Sequence, residues 1–146
     1  MAAGAATLGL PWHVRAGSPN NKVVLALMGA GVRGMDVITK MAAVPDVAVK
    51  YVCDVEDAHG KAAVAALEKI QHSAPKHIVD VRTALDDKDV QGLVVATPEH
   101  WHALATIWAC QAGKDVYVEK PGSHNVWEGR KMVEAAHKYN RIVQHG

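Results

Sequence analysis

Four short stretches of this chain carry residues whose types and spacing suit chemistry. Gly29-Ala30-Gly31-Val32-Arg33-Gly34 is a G-x-G-x-x-G turn entered from the apolar run Val23 to Met28. Such a turn needs its first glycine for tightness, its second so that backbone can approach a pyrophosphate, and its third for close packing of helix on strand. The helix that follows offers unpaired N–H groups and a partial positive charge to an anion. Asp54 closes a second apolar run, Val47 to Cys53. An acidic residue roughly 20 positions beyond the turn is where a ribose-binding carboxylate belongs. Turn, strand and acid together read as a dinucleotide site.

Asp54 can accept both hydroxyls of an adenosine ribose, whereas a 2′-phosphate would meet its negative charge. With Val55-Glu56-Asp57 behind it, NAD is favoured over NADP, and Arg33 is the nearest cation that would reverse that choice. The third stretch, Thr97-Pro98-Glu99-His100-Trp101-His102, gathers two imidazoles and a carboxylate. It lacks a third histidine or cysteine at a recognised ligand spacing, so no metal site is assigned. His100 and His102 read equally as cofactor contacts and as helix-start residues that face solvent or bond to backbone; Trp101 and Trp108 read as packing residues. The fourth stretch is Glu119-Lys120-Pro121. A lysine at the exit of a buried strand can orient a substrate hydroxyl and assist its proton transfer if burial tunes the amine; the alternative is a free surface lysine.

The elements that must position these groups alternate strand and helix. Strands are expected over 22–28, 47–54, 77–79, 92–96, 115–118 and 141–144, and helices over 33–43, 56–70, 101–112 and 125–139, with a single helical turn near 83–85. Gly92 to Ala96 is a continuous apolar run, as in a parallel strand buried on both faces. Gly113 sits where a helix C-cap belongs, and Asn125 with Glu128 forms an N-terminal capping arrangement. The inward faces are read as Ala58, Ala62, Ala65, Ala66 and Ile70 in the second helix, Leu104, Ile107 and Trp108 in the next, and Met132, Val133 and Ala136 in the last. This alternation argues an α/β fold, a doubly wound parallel sheet with strand order 3-2-1-4-5-6. The four chemical stretches then fall at the carboxyl ends of strands one, two, four and five, in the crevice where open α/β sheets bind ligands.

Bulk properties narrow the function classes. The chain has 146 residues and formal net charge +1, with acids and bases interspersed, so neither nucleic acid nor an anionic membrane is an expected partner. Cys53 and Cys110 have no metal or disulfide spacing and read as core residues. One domain is expected, a dinucleotide-binding domain over 20–146, preceded by a signal-like leader or disordered arm over 1–19. The leader combines a small apolar run with Val14-Arg15-Ala16, like the hydrophobic and cleavage regions of a secretory signal, but without a charged start. A signal remnant implies an exported protein; a plain N-terminal arm implies a cytoplasmic one.

GAGVRG at 29–34, Asp54, ATPEHWHA at 96–103 and YVEKP at 117–121 together resemble the N-terminal domain of the Gfo/Idh/MocA family, the glucose-fructose oxidoreductase and inositol dehydrogenase group. The resemblance runs from about Lys22 to Gly146. It implies a Rossmann domain with NAD(P), Glu119 near the nicotinamide ribose, Lys120 as catalytic lysine in a frequently cis Lys120-Pro121 bond, and Thr97, Pro98 and His102 bordering the nicotinamide. Members of this group continue into a mostly antiparallel β domain that binds substrate, absent here, so this chain is expected to bind cofactor without turning over substrate alone. The implied activity is oxidation of a secondary hydroxyl of a sugar, inositol or related polyol. A redox-neutral NAD-dependent glycosidase or lyase and a non-catalytic dinucleotide-binding module are the alternatives, and a homo-oligomer is compatible with either.

Overall fold

The computed structural model describes residues 22–146; the leader reading over 1–19 lies outside them. Six strands carry the fold: β1 (Val23–Met28), β2 (Val47–Cys53), β3 (Lys76–Ile78), β4 (Gly92–Val95), β5 (Asp115–Val118) and β6 (Val143–His145). Between them run α1 (Val32–Ala42), α2 (Asp57–Gln71), α3 (Arg82–Leu85), α4 (His102–Gln111) and α5 (Val126–Tyr139), with a 3₁₀ turn at Glu99–Trp101 leading into α4. All pairings are parallel and the order is β3-β2-β1-β4-β5-β6, as the alternation predicts.

Alternation along the strands splits the core in two. Leu27, Val49, Val52 and Val94 face one side and meet Val37, Ile38, Ala63 and Leu67 from α1 and α2. Ala26, Met28, Leu93, Val95, Val116 and Val118 face the other and meet Ala105, Ala109, Cys110, Met132 and Ala135 from α4 and α5. Each β4 residue is buried, because helices lie over both faces there. Both cysteines are buried and free.

Local signals act as read from the sequence at the helix ends. Asn125 accepts the Glu128 N–H at 2.9 Å, and the Glu128 carboxylate accepts the His124 N–H at 3.1 Å, so the start of α5 is capped from both directions. Gly113 ends α4 in the left-handed region at φ +75°.

Three helix faces differ from expectation. In α2 the buried residues are Gly60, Ala63 and Leu67, and Ala58, Ala62 and Ala65 point to solvent. In α4 the buried set is His102, Ala103, Ala105, Thr106, Ala109 and Cys110, while Leu104 is exposed. In α5 Ala135 takes the buried place expected for Val133, which is exposed. The cause is common to all three: small residues let helix approach sheet closely, so bulk does not mark the inner face. Trp101 likewise is more than a third exposed and borders a cleft instead of filling the core.

Candidate functional site

The carboxyl ends of β1, β2, β4 and β5 lie side by side, and each contributes a residue group to one crevice. The β1 turn comes first. Gly29 has φ +93° and donates its N–H to the Cys53 carbonyl at 2.9 Å. A Cβ there would lie 2.8 Å from the Ala96 carbonyl and the Thr97 nitrogen. At Gly34 a Cβ would run into the Gly29 carbonyl oxygen, with the Ala96 methyl 3.4 Å away. These two glycines are therefore required by contacts inside the protein. Gly31 is different: its backbone is ordinary, and a Cβ would meet nothing within 4 Å. It stands at the N-cap of α1, where no side chain caps the first N–H groups of the helix.

Asp54 is fixed just beyond β2. One carboxylate oxygen accepts the Ala30 N–H at 2.7 Å, the other the Glu56 N–H at 2.9 Å. The acid is thus tied to the glycine turn, and each oxygen keeps a lone pair for a further donor. Asp54 borders a cleft of about 550 Å³ with Gly29, Val55, Val79, Arg82, Thr97 and Trp101. Its lining is mostly apolar with a few polar groups, the profile of a nucleoside site. Arg82 is clamped by Asp80 through its Nε at 2.9 and 3.0 Å and its Nη2 at 2.5 Å. That pair was not apparent from the sequence, where Asp80 and Arg82 look like loop charges. Cys53 lines the same cleft, and burial pushes its thiol up to about 12.

At the end of β5 the side chain of Glu119 is buried, its residue only 2% exposed. Arg33 Nη2 meets it at 2.7 Å, the Tyr117 hydroxyl donates at 3.1 Å and the Lys120 N–H at 3.3 Å. The hydrogen bond from Arg33 leads in holding the Glu119 carboxyl below its ordinary value, against the opposing effect of burial. Burial, then the bond to Glu119, raises Tyr117. Arg33 also bonds Asp36 at 2.7 Å, so its guanidinium is committed toward β5 and not to the Asp54 side where it would favour a 2′-phosphate. The Arg33–Glu119 pair joins residues far apart in sequence, and no local pattern signals it.

Lys120 is exposed at the mouth of the crevice, so the described residues do not supply the burial that the sequence reading required of it. The Lys120-Pro121 bond is cis. His102, by contrast, is 1% exposed, with Nδ1 2.7 Å from the Pro121 carbonyl oxygen and Nε2 2.8 Å from that of Thr97. Each ring nitrogen thus lies within hydrogen-bond distance of a backbone carbonyl oxygen. The ring ties the β4 exit to the Lys120-Pro121 turn. His100 is exposed. Among the described residues no group of three His, Cys, Asp or Glu side chains is placed to hold a metal ion.

A family model described as an oxidoreductase family with an NAD-binding Rossmann fold matches residues 23–146. The chain is 34% identical over 123 residues to a glycosyl hydrolase family 109 protein of Saccharopolyspora erythraea, covering 82% of this chain and 27% of that protein. It is also 34% identical over 131 residues to inositol 2-dehydrogenase 1 of the same organism, covering 79% and 36%. Among solved structures, GenD2 from gentamicin A biosynthesis, in complex with NAD, superposes with a TM-score of 0.79 at 25% identity, over 89% of this chain and 36% of that one. The WlbA dehydrogenase from Chromobacterium violaceum, in complex with NADH and UDP-GlcNAcA, gives 0.76 at 26% identity, over 87% and 35%. The chain thus spans about a quarter to a third of the length of these proteins. With its parallel sheet, its glycine turn and the acid that closes β2, this chain belongs to the Gfo/Idh/MocA oxidoreductase family and carries that family's NAD-binding Rossmann domain.

Proposed function

We propose that this domain holds NAD across the ends of β2, β1, β4 and β5 and serves the oxidation of a secondary hydroxyl on a sugar, inositol or related polyol. The observation that carries the reading is Gly31: alone of the three turn glycines it has no internal reason to be glycine, and it opens the N-terminus of α1 toward the crevice. A pyrophosphate fits that opening through backbone N–H groups and the helix dipole. Asp54, held by two backbone N–H groups, would take the adenosine ribose, with the adenine in the cleft beside Arg82 and Trp101. The nicotinamide half then lies on the other side of β1, over Thr97, Pro98, Glu119 and Lys120. NAD, when bound, supplies the hydride acceptor.

Lys120 would orient the substrate hydroxyl and help its proton leave. Glu119 would fix the adjoining backbone through the Lys120 N–H, and His102 would hold the turn that presents the lysine. Hydride transfer also needs water excluded from the crevice, and turnover is proposed for proteins of the length of these relatives, of which this chain spans about a quarter to a third. A redox-neutral glycosidase is the second reading, favoured by the glycosyl hydrolase family 109 relative.

Calorimetric titration of the chain with NAD and NADP tests the cofactor assignment. NAD should bind more tightly, and Asp54→Asn should weaken NAD more than NADP; equal weakening would remove the ribose contact. In a full-length protein carrying this domain, polyol-dependent NADH accumulation supports the dehydrogenase, whereas sugar release without net NADH supports the glycosidase.

A further inference from the structure

We infer that the Arg33–Glu119 ion pair sets the preference of this domain between oxidised and reduced cofactor. The inference rests on the proposed placement of the nicotinamide over β4 and β5. The two forms differ at that end alone: the oxidised ring carries a positive charge and the reduced ring none. Fixed charge beside the ring therefore acts on the ratio of the two affinities, while contacts to adenosine, ribose and pyrophosphate cancel from it.

The fixed charge at the end of β5 is a compensated pair. Glu119 is buried and ionised, held by the Arg33 guanidinium at 2.7 Å, the Tyr117 hydroxyl at 3.1 Å and the Lys120 N–H at 3.3 Å. Arg33 stands in the glycine turn, its side chain half exposed, with Asp36 on its outer side at 2.7 Å. A buried carboxylate left alone would attract the oxidised ring; the guanidinium against it cancels most of that attraction. Arg33 thus links the phosphate-binding turn to the charge felt at the reacting end. Its place between the second and third glycines makes it a selectivity residue whose effect is opposite in sign to that of Glu119.

Removing either partner uncovers the other. In Arg33→Gln the bare carboxylate should shift the ratio of dissociation constants, oxidised over reduced, down by about three- to tenfold, the range left after water around the half-exposed arginine has screened the change. In Glu119→Gln the guanidinium, still paired with Asp36 on its outer side, should shift it up by a smaller factor. The double variant loses both charges and should return near the starting ratio. A tenfold change moves the potential of the bound two-electron couple by about 30 mV.

The experiment is calorimetric titration of the chain and these three variants with NAD and with NADH at pH 8 and low salt, with circular dichroism to verify folding. Opposite shifts in the single variants and their cancellation in the double support the inference. Both nucleotides binding with ratios unchanged within about twofold, or shifting in the same direction, overturn it. If Glu119→Gln does not fold, the direction of the shift in Arg33→Gln decides alone. Failure of the unsubstituted chain to bind either nucleotide would instead remove the cofactor placement itself, and the inference with it.

Discussion

Replacing His102 with leucine tests how the site is built, because one ring holds two of its loops. The substitution keeps roughly the same volume and a good helix former while deleting both polar atoms. In the neutral ring only one nitrogen carries a proton, so one strong hydrogen bond is lost instead of two. The bond itself contributes about 1 kcal/mol, and a buried carbonyl left unpaired costs about 1–3 kcal/mol more. Thr97 is half-buried and Pro121 exposed, so water can reach the second carbonyl and replace part of its loss. The expected destabilisation is therefore about 1–3 kcal/mol. With a urea slope of about 2 kcal/mol per molar, the unfolding midpoint should fall by about 0.5–1.5 M. His100→Leu, two positions away on an exposed residue, should change stability by less than about 0.5 kcal/mol. His102→Gln keeps an amide donor for one carbonyl and should recover about half of the loss. A His102→Leu destabilisation below about 1 kcal/mol at an unchanged slope would refute the claim that the ring ties Thr97 to Pro121.

Other consequences can be checked on the same chain. Gly31→Ala should leave urea stability within about 1 kcal/mol, the cost of alanine at an N-cap, yet weaken NAD at least about tenfold, because its methyl meets nothing in the protein and would meet the pyrophosphate. Gly29→Ala, with φ +93° and backbone 2.8 Å from the new methyl, should cost stability by more than about 2 kcal/mol in the same denaturation assay. Burial holds Cys53 up at about 12 and also raises Cys110, so a disulfide reagent at pH 8 should label neither thiol in the folded chain and both after denaturation. Asp87 is held down at about 2, chiefly by Lys50 at 2.7 Å and then by the Asp89 N–H and Tyr51 hydroxyl. Its folded value lies below the unfolded one near 4, so its contribution is complete above about pH 4 and is lost as pH falls toward about 2. Asp87→Asn should accordingly lose less stability between pH 5 and pH 3 than the unsubstituted chain.

The fold was legible where sequence signals are local. Apolar runs punctuated by glycine and proline place β1, β2, β4 and β5, and the all-apolar β4 already identifies a strand covered on both faces. The capping residues Asn125 and Glu128 and the turn at Gly113 are equally local. Helix faces were less legible. Bulk marks an inner face only when small and large residues segregate, and α2 and α4 bury alanines while Leu104 and Ile70 look outward. The site followed the same division. Asp54 and the glycines belong to one βα corner, so their spacing declares them. Arg33 and Glu119 meet only after β1 and β5 are set on either side of β4, and Asp80 finds Arg82 through loop geometry. His100 and His102 look alike in sequence, yet the turn of a single helix start buries one and exposes the other.

The tight seam where Gly29 and Gly34 press against Ala96 has a consequence for how fast and how firmly a ligand is met. Backbone from two strands and a helix closes there with no room for a methyl group, so the turn cannot wander among alternative shapes before a nucleotide arrives. Association then spends little free energy on ordering the receptor, and the contacts made by each amide appear almost undiminished as affinity. The stiffness of the seam is thus a thermodynamic preorganisation, carried by three residues through their contacts with one another.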